Sequence, residues 1–227
     1  MSADSALAPF PQSTASGRVT IDLGALVANW RTLAGRLGRG ATTAAVLKAD
    51  AYGAGIEPVA RALVAAGCDT FFVALPEEGV RIRQVAPGAV IYLLDGFVPG
   101  SAEALIEFDL RPVLGSPAEV AEWAAADRRD HPTSCAIHID TGMNRLGLTM
   151  AEARALAAAR GTLAALSPAL LISHLACADT PAHPLNRRQL EAFRAVRDLF
   201  PGVPASLANS AGIFLGPEYH FNLTRPG

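Results

Sequence analysis

The chain has 227 residues, of which 51% are hydrophobic and 18% charged, and its net charge is −2. This length and apolar content are ample for one large core, and the scattered charges form neither a basic patch for nucleic acid nor a polybasic flank for a membrane. We therefore expect a globular protein that binds a small neutral or zwitterionic molecule, with no nucleic-acid or membrane partner.

The three cysteines indicate the cellular compartment. Cys68, Cys135 and Cys177 are far apart and form no Cys-x-x-Cys motif, which argues against a disulfide framework or a structural zinc site and favours a reducing cytoplasm.

Residues 1–17 are rich in Ser, Ala and Pro and lack the pattern of a signal peptide. We expect them to be a flexible tail, followed by one domain over residues 18–227. No run reaches the roughly 20 apolar residues that a membrane span needs.

The hydrophobic pattern predicts alternating strands and helices. Residues 19–23 read as a strand and residues 26–37 as a helix, ahead of eight further units. The strands of these units are predicted at 43–48, 71–75, 90–94, 111–114, 134–139, 169–173, 205–208 and 221–225. The helices between them are predicted at 56–66, 77–85, 102–108, 117–126, 150–160 and 185–199. Strands that alternate with helices indicate right-handed crossovers in a parallel sheet, and eight units predict an α/β fold of the closed (β/α)8 TIM barrel type.

Lys48 is the only lysine in the chain, beside 18 arginines, and it ends the apolar run of the first barrel strand. An arginine stays protonated in proteins, whereas a desolvated lysine can become a neutral amine and attack a carbonyl. Lys48 is therefore a candidate nucleophile. The alternative is an ordinary surface lysine in a chain biased toward arginine.

Functional residues of such barrels lie at the carboxyl ends of the strands. The polar residues at these ends are Lys48, Asp50, Tyr52, His138, Asp140, His174, Asn209, Ser210 and Arg225, and Gly227 adds a backbone amide. The loops after strands seven and eight commonly hold phosphate in this fold. A single lysine near two hydroxyls and a glycine amide predicts a phosphate-bearing aldehyde as the ligand.

Four sequence runs occur in order along the chain: Ala-Val-Leu-Lys-Ala-Asp-Ala-Tyr-Gly at 45–53, Asp-Thr-Gly-Met-Asn-Arg-Leu-Gly at 140–147, Ser-His-Leu-Ala-Cys-Ala-Asp at 173–179 and Ala-Asn-Ser-Ala at 208–211. Together they resemble the signatures of the bacterial alanine racemases. The resemblance implies the N-terminal barrel domain of a cytoplasmic fold-type III enzyme that uses pyridoxal 5'-phosphate (PLP). Such an enzyme interconverts L- and D-alanine, supplies D-alanine for peptidoglycan and is a homodimer at full length.

The resemblance also implies residue roles. Lys48 would carry PLP as a Schiff base and act as one of two acid/base groups at the substrate alpha carbon. The phosphate would be held by Tyr52, Ser210 and the backbone of Gly227, and Asn209 belongs to the same cofactor-binding set.

Three further residues would contact the ring or the substrate. Arg225 would face the pyridine nitrogen of the cofactor, and His174 would support Arg225. Because an arginine can only donate hydrogen bonds, the pyridine nitrogen would stay unprotonated, and the ring would be a weaker electron sink. Arg145 would lie near the cofactor phenolic oxygen and bind the substrate carboxylate with its planar fork. Judged without its motif, Arg145 could equally be an exposed arginine in a turn.

Two features depart from the family. His138 stands where many members have a carbamylated lysine, so another group, such as a bound anion or a different side chain, would have to orient Arg145. The family also continues into a β domain with which residues 19–23 would pair, and that domain carries the tyrosine of the second base. Racemisation needs a base on each face of the planar carbanion. We therefore expect this chain to bind PLP but to racemise alanine poorly alone.

Two other functions stay open at this point. A single-domain barrel that carries or buffers PLP without catalysis would have a similar length, although the run at 140–145 and Tyr52 argue against it. A barrel enzyme without PLP is the third possibility. We expect no metal site, because His131, His183 and His220 lack a helical i, i+4 partner and read as loop or surface histidines.

Overall fold

A ring of parallel strands forms the centre of the computed structural model, which describes residues 17–126 and 133–227. Within these residues the ring has eight strands, the first of which, β1, consists of the segments Thr42–Thr43 and Ala45–Val46. The others are β2 (Thr70–Val73), β3 (Val90–Leu93), β4 (Arg111–Leu114), β5 (Cys135–His138), β6 (Pro168–Ile172), β7 (Ala205–Ser206) and β8 (Leu223–Thr224).

Hydrogen bonds close the ring. Strands β1 to β7 pair in chain order, and the two segments of β1 pair with different neighbours, the first with β8 and the second with β2. Between β7 and β8, the Asn222 amide donates to the carbonyl of Ala205 over 3.0 Å, and Asn209 forms a bridge with Arg225. The predicted barrel of parallel strands is confirmed.

Helices surround the strands. They are α1 (Leu23–Ala34), α2 (Ile56–Ala65), α3 (Pro76–Val85), α4 (Ala102–Glu107), α5 (Pro117–Ala125), α6 (Met150–Ala158), α7 (Arg160–Leu166) and α8 (Pro184–Arg197), with 3-10 turns at Ala211–Leu215 and Pro217–Tyr219. Proline at the start of α3, α5 and α8 suits a first turn in which the backbone N–H has no partner. In the described part of the chain, no helix has the length and apolar character that crossing a membrane requires.

Two apolar layers flank the strands. Along β2, Phe71 packs outward against the helices while Phe72 points into the ring, as expected because successive strand residues face opposite sides. Phe72 stacks on Tyr92 inside the ring, with centroids 4.9 Å apart. The ring is thus filled by side chains, and a ligand has to bind at its rim.

The predicted strand at residues 19–23 is wrong. Helix α1 begins at Leu23, where the side chain of Asp22 accepts a hydrogen bond from the amide of Ala25 and caps the helix. Val19 is 86% exposed. The apolar alternation here is typical of a strand, but it pairs with no strand in the described ranges, and the capping aspartate favours the helix.

The bounds of the helices differ from the predicted ones by only a few residues. Helix α1 begins three residues before the predicted helix at 26–37. The predicted helix at 150–160 ends at Ala158, since Ala159 leaves the helical region with ψ of 70°, and the separate helix α7 follows. The predicted flexible tail at 1–17 falls, apart from Gly17, outside the described residues.

Candidate active site

Ten polar or glycine residues from six of the strand ends meet in one cavity of about 570 Å³ at the carboxyl rim of the barrel. They are Lys48, Tyr52, Asp95, His138, Arg145, His174, Asn209, Ser210, Arg225 and Gly227. Every residue for which a catalytic or binding role is predicted from the sequence lies in this set. The structure therefore brings the predicted site residues together.

Lys48 begins a left-handed turn. Residues 49–52 have φ between 52° and 56°, and Gly53 follows with φ of 83°. Left-handed backbone costs roughly 1–2 kcal/mol for each non-glycine residue and normally occurs as single residues. Because Lys48 and Tyr52 stand at the two ends of the turn, both side chains reach the cavity. The sequence predicts a strand to residue 48 and gives no signal of this turn, because Ala49, Asp50 and Ala51 are not turn glycines.

Tyr52, Ser210 and Gly227 form a corner of hydrogen-bond donors. The hydroxyl of Ser210 lies 3.0 Å from both the nitrogen and the carbonyl oxygen of Gly227. A Cβ on Gly227 would collide with the Tyr52 hydroxyl and come within 3.0 Å of Val46 Cβ. Partial burial raises the pKa of Tyr52, so its phenol keeps its proton. This corner can donate several hydrogen bonds to one anion.

Asn209 organises the start of the adjoining 3-10 turn. Its Oδ1 accepts a hydrogen bond of 2.8 Å from the backbone amide of Gly212. Ser210 lies directly before that turn, and the first residue of the turn, Ala211, also lines the cavity.

Arg225 is a buried cation held by neutral groups. It is 4% exposed, donates to Ser206 Oγ and to the carbonyl of Ser173, and lies 5.8 Å above the Phe72 ring. Burial lowers the pKa of its guanidinium to about 10. The family resemblance implies support from His174, whereas Arg225 donates its hydrogen bonds to the hydroxyl of Ser206 and the carbonyl of Ser173. Ser173 begins the run at 173–179 but accepts through its backbone carbonyl, and Ser206 lies in none of the four runs, so the sequence did not mark either contact.

Both cavity histidines are neutral near pH 7. Burial, and then the charges of Arg225 and Arg145, lower the pKa of His174 to about 3. Burial and Arg225 lower the pKa of His138 to about 4, with Arg145 as a smaller cause and Asp140 acting in the opposite direction. The side chain at position 138 therefore cannot supply the negative charge that a carbamylated lysine would bring to Arg145.

Arg145 projects from a compact loop. The Oδ1 atom of Asp140 accepts hydrogen bonds from the amides of Gly142, Met143 and Asn144 at 2.9 to 3.1 Å. Ile139 and Leu148 form a bridge across its base. Among the described residues, no carboxylate forms an ion pair with Arg145, so its fork is available to an anionic ligand.

The other histidines differ in part from expectation. His220 was predicted to be a loop or surface residue, but it is buried: its Nδ1 accepts from the Gly38 amide over 2.9 Å, and its Nε2 lies 2.9 Å from the Ile213 carbonyl. His183 is exposed and caps α8, while His131 lies outside the described residues. In the described ranges, no group of three or more His, Cys, Asp or Glu side chains could hold a metal ion.

Comparison with known proteins gives one family. The family model for the alanine racemase N-terminal domain matches residues 21–227. The chain is 55% identical, over 94% of its length, to the alanine racemase of Rhizobium meliloti, and 53% identical, over 92%, to the biosynthetic alanine racemase of Agrobacterium fabrum. It spans 56% and 54% of those two proteins.

Solved structures agree with the sequence comparison. The crystal structure of alanine racemase from Bartonella henselae with covalently bound pyridoxal phosphate superimposes with a TM-score of 0.86 at 38% identity, covering 91% of this chain and 60% of that one. The biosynthetic enzyme of Pseudomonas aeruginosa gives a TM-score of 0.81 at 35% identity, covering 89% of this chain and 56% of that one.

Proposed function

Because this chain belongs to the alanine racemase family, we propose that it forms the PLP-binding barrel of an enzyme that interconverts L- and D-alanine. The observation that carries the proposal is the convergence of the only lysine with Ser210, Gly227 and Arg225 in one rim cavity. A PLP site needs an amine, a phosphate cradle and a partner for the ring nitrogen, and the cavity contains a candidate for each.

The donor corner fits a phosphate. Ser210 and Tyr52 offer hydroxyl groups, and Gly227 offers a backbone amide that can turn from Ser210 toward a stronger acceptor. Charge-assisted hydrogen bonds to phosphate are shorter and stronger than those between neutral groups. The missing side chain of Gly227 keeps the corner open, since a Cβ there would collide with Tyr52.

Arg225 fits the ring nitrogen. It has only donors, and its hydrogen-bond partners, Ser206 and Ser173, are uncharged. When bound, PLP supplies the electron sink that makes the alpha C–H bond of an amino acid acidic. Arg225 would keep the ring nitrogen unprotonated and so weaken that sink, which restricts side reactions such as transamination.

Lys48 would bind the cofactor and move a proton. Its amine would hold the cofactor through the cofactor's carbonyl group, and it would serve as the base that takes or returns the alpha proton on one face of the substrate. Arg145 would bind the substrate carboxylate with its open fork, without help from the neutral His138.

Inversion needs a second base on the opposite face. Tyr52 lies in the phosphate corner and Tyr92 is stacked inside the barrel. We propose that the second base comes from the part of the family's length that this chain does not span, or from a partner subunit in a homodimer. On its own the chain would exchange the alpha proton of one alanine enantiomer much faster than it inverts it.

Absorption spectra and chemical trapping test the cofactor assignment. We expect the chain mixed with PLP to develop the visible band of lysine-bound cofactor, and borohydride reduction followed by peptide mapping to label Lys48. Lys48→Arg, which keeps the charge but not the nucleophile, should give neither. A label elsewhere, or none at all, would overturn the assignment.

Proton exchange in D2O tests the activity. We expect loss of the alpha hydrogen from one enantiomer of alanine, with D-alanine formation from L-alanine far slower than in a full-length relative. Turnover equal to the full-length relative would contradict the two-base requirement. Tight PLP binding without any exchange would favour a non-catalytic PLP carrier.

A further inference from the structure

Glu78 connects two loops at the rim through one buried carboxylate. It lies in the first turn of α3 and is 9% exposed. Its Oε2 accepts hydrogen bonds from the amides of Ala74 (2.9 Å) and Leu75 (3.1 Å), which is ordinary capping at the start of a helix. Its Oε1 accepts a third, of 3.1 Å, from the amide of Asp50. This third bond lies outside the helix, in the turn that follows Lys48.

The turn after Lys48 needs external support. Four successive left-handed residues, none of them glycine, are unfavourable without tertiary contacts. A second contact comes from Arg81, which binds Asp50 Oδ1 at 2.8 Å and also pairs with Glu57. The side chains of Arg81 and Asp50 are 40% and 47% exposed, so water screens that ion pair. Glu78 itself is buried, and its carboxylate is a charged acceptor, which makes its bond to the Asp50 amide the stronger anchor.

We propose that Glu78 is a positioning residue for the cofactor: its carboxylate holds the left-handed turn at Asp50 and so fixes where Lys48 and Tyr52 reach the cavity. Asp50 lies two residues from each of them, at the middle of the turn. This inference rests on the proposed PLP site, since it assigns Glu78 a role toward the lysine and the phosphate corner of that site.

A carboxylate suits this position better than an amide. Three N–H donors converge on the two oxygens of Glu78, and glutamine would replace one oxygen with a donor NH2 group. If the remaining oxygen keeps the two capping bonds to Ala74 and Leu75, the NH2 group faces the amide of Asp50. Glu78→Gln should therefore keep much of the helix cap and release the turn, whereas Glu78→Ala removes both.

The test compares three variants of the full 227-residue chain. Glu57→Gln is the matched control, because it removes a carboxylate from the same cluster without touching the backbone of the turn. We expect Glu78→Gln to bind PLP at least tenfold more weakly, measured by titration of the visible band, and Glu57→Gln to bind within twofold of wild type. Glu78→Ala should lose as much affinity and also unfold at lower urea concentration.

Amide hydrogen exchange gives a readout that does not depend on the cofactor. We expect the Asp50 amide of the wild-type chain to be protected, and Glu78→Gln to exchange it at least tenfold faster while the amides of β2 keep their protection. A folded Glu78→Gln with wild-type affinity for PLP would overturn the inference, as would a wild-type Asp50 amide that exchanges like an exposed one. If the wild-type chain binds no PLP, the proposed function fails, while the exchange data still report whether Glu78 holds the turn.

Discussion

The hydroxyl of Ser210 lies 3.0 Å from the nitrogen of Gly227 and 3.0 Å from its carbonyl oxygen. One side chain thus joins the loop after β7 to the loop after β8. These are the loops that hold phosphate in many barrels of this fold. The same hydroxyl and amide can turn toward a phosphate, because neither is committed to a strand.

Ser210→Ala should weaken PLP binding about tenfold, since a hydrogen bond to a charged group contributes roughly 1.5 kcal/mol. Titration with pyridoxal, which lacks the phosphate, should give the same affinity for variant and wild type. Ser101→Ala is the matched control, because Ser101 bonds to the Val98 carbonyl in a separate loop. An equal loss for PLP and pyridoxal would show that the serine acts on folding and not on the phosphate.

Ser206→Ala should destabilise the chain by roughly 1–3 kcal/mol, because it leaves the buried Arg225 guanidinium without one of its acceptors. The loss would be measured by urea unfolding without cofactor. Ser134→Ala, which removes an exposed hydroxyl bonded to the Ser167 carbonyl, should cost less than about 1 kcal/mol. Equal effects in the two variants would contradict the importance assigned to the buried bond.

Ala49→Gly should leave stability unchanged or raise it slightly. Ala49 is exposed with φ of 52°, so glycine relieves roughly 1–2 kcal/mol of left-handed strain and costs roughly 0.4–1 kcal/mol through the entropy of the unfolded chain. In the right-handed helix α2, Ala62→Gly should cost about 1 kcal/mol. Urea unfolding of both variants measures the difference. A similar loss at the two positions would mean that the turn is not left-handed in solution.

Much of the barrel could be predicted from sequence because its strands are short, apolar and regularly spaced. The strand predicted at 111–114 has those limits in the structure, and the other seven differ by a few residues at their ends. The residues at the rim could be predicted from one rule, because polar groups at the carboxyl ends of parallel strands lie at the same edge. Lys48 and Ser210, 162 positions apart in sequence, line one cavity for that reason.

The remaining features depend on contacts between distant residues. Arg225 binds the Ser173 carbonyl across 52 positions, and Glu78 reaches the Asp50 amide across 28. No local pattern marks either pair. The strand wrongly predicted at residues 19–23 is the reverse case. The local apolar alternation is present there, but no partner strand among the described residues pairs with it.

Folding stability should fall in acid because of the two cavity histidines. The folded pKa of His138 is about 4 and that of His174 about 3, while both are near 6.5 in an unfolded chain. Between about pH 4 and pH 6.5 the unfolded chain therefore binds protons that the folded chain does not, so the free energy of unfolding rises with pH and falls as acid is added. Each histidine contributes a slope of up to about 1.4 kcal/mol per pH unit.

Histidine variants separate this slope from that of the carboxylates. We expect His138→Gln and His174→Gln each to flatten the pH dependence between pH 6 and 4.5, because glutamine binds no proton, while the effect of Asp and Glu side chains is common to all variants. His183→Gln, at an exposed helix cap, should keep the wild-type slope. The measurement is urea unfolding of the cofactor-free chain at half-unit pH steps. A slope in His138→Gln equal to that of wild type would mean that His138 is accessible to protons in the folded chain.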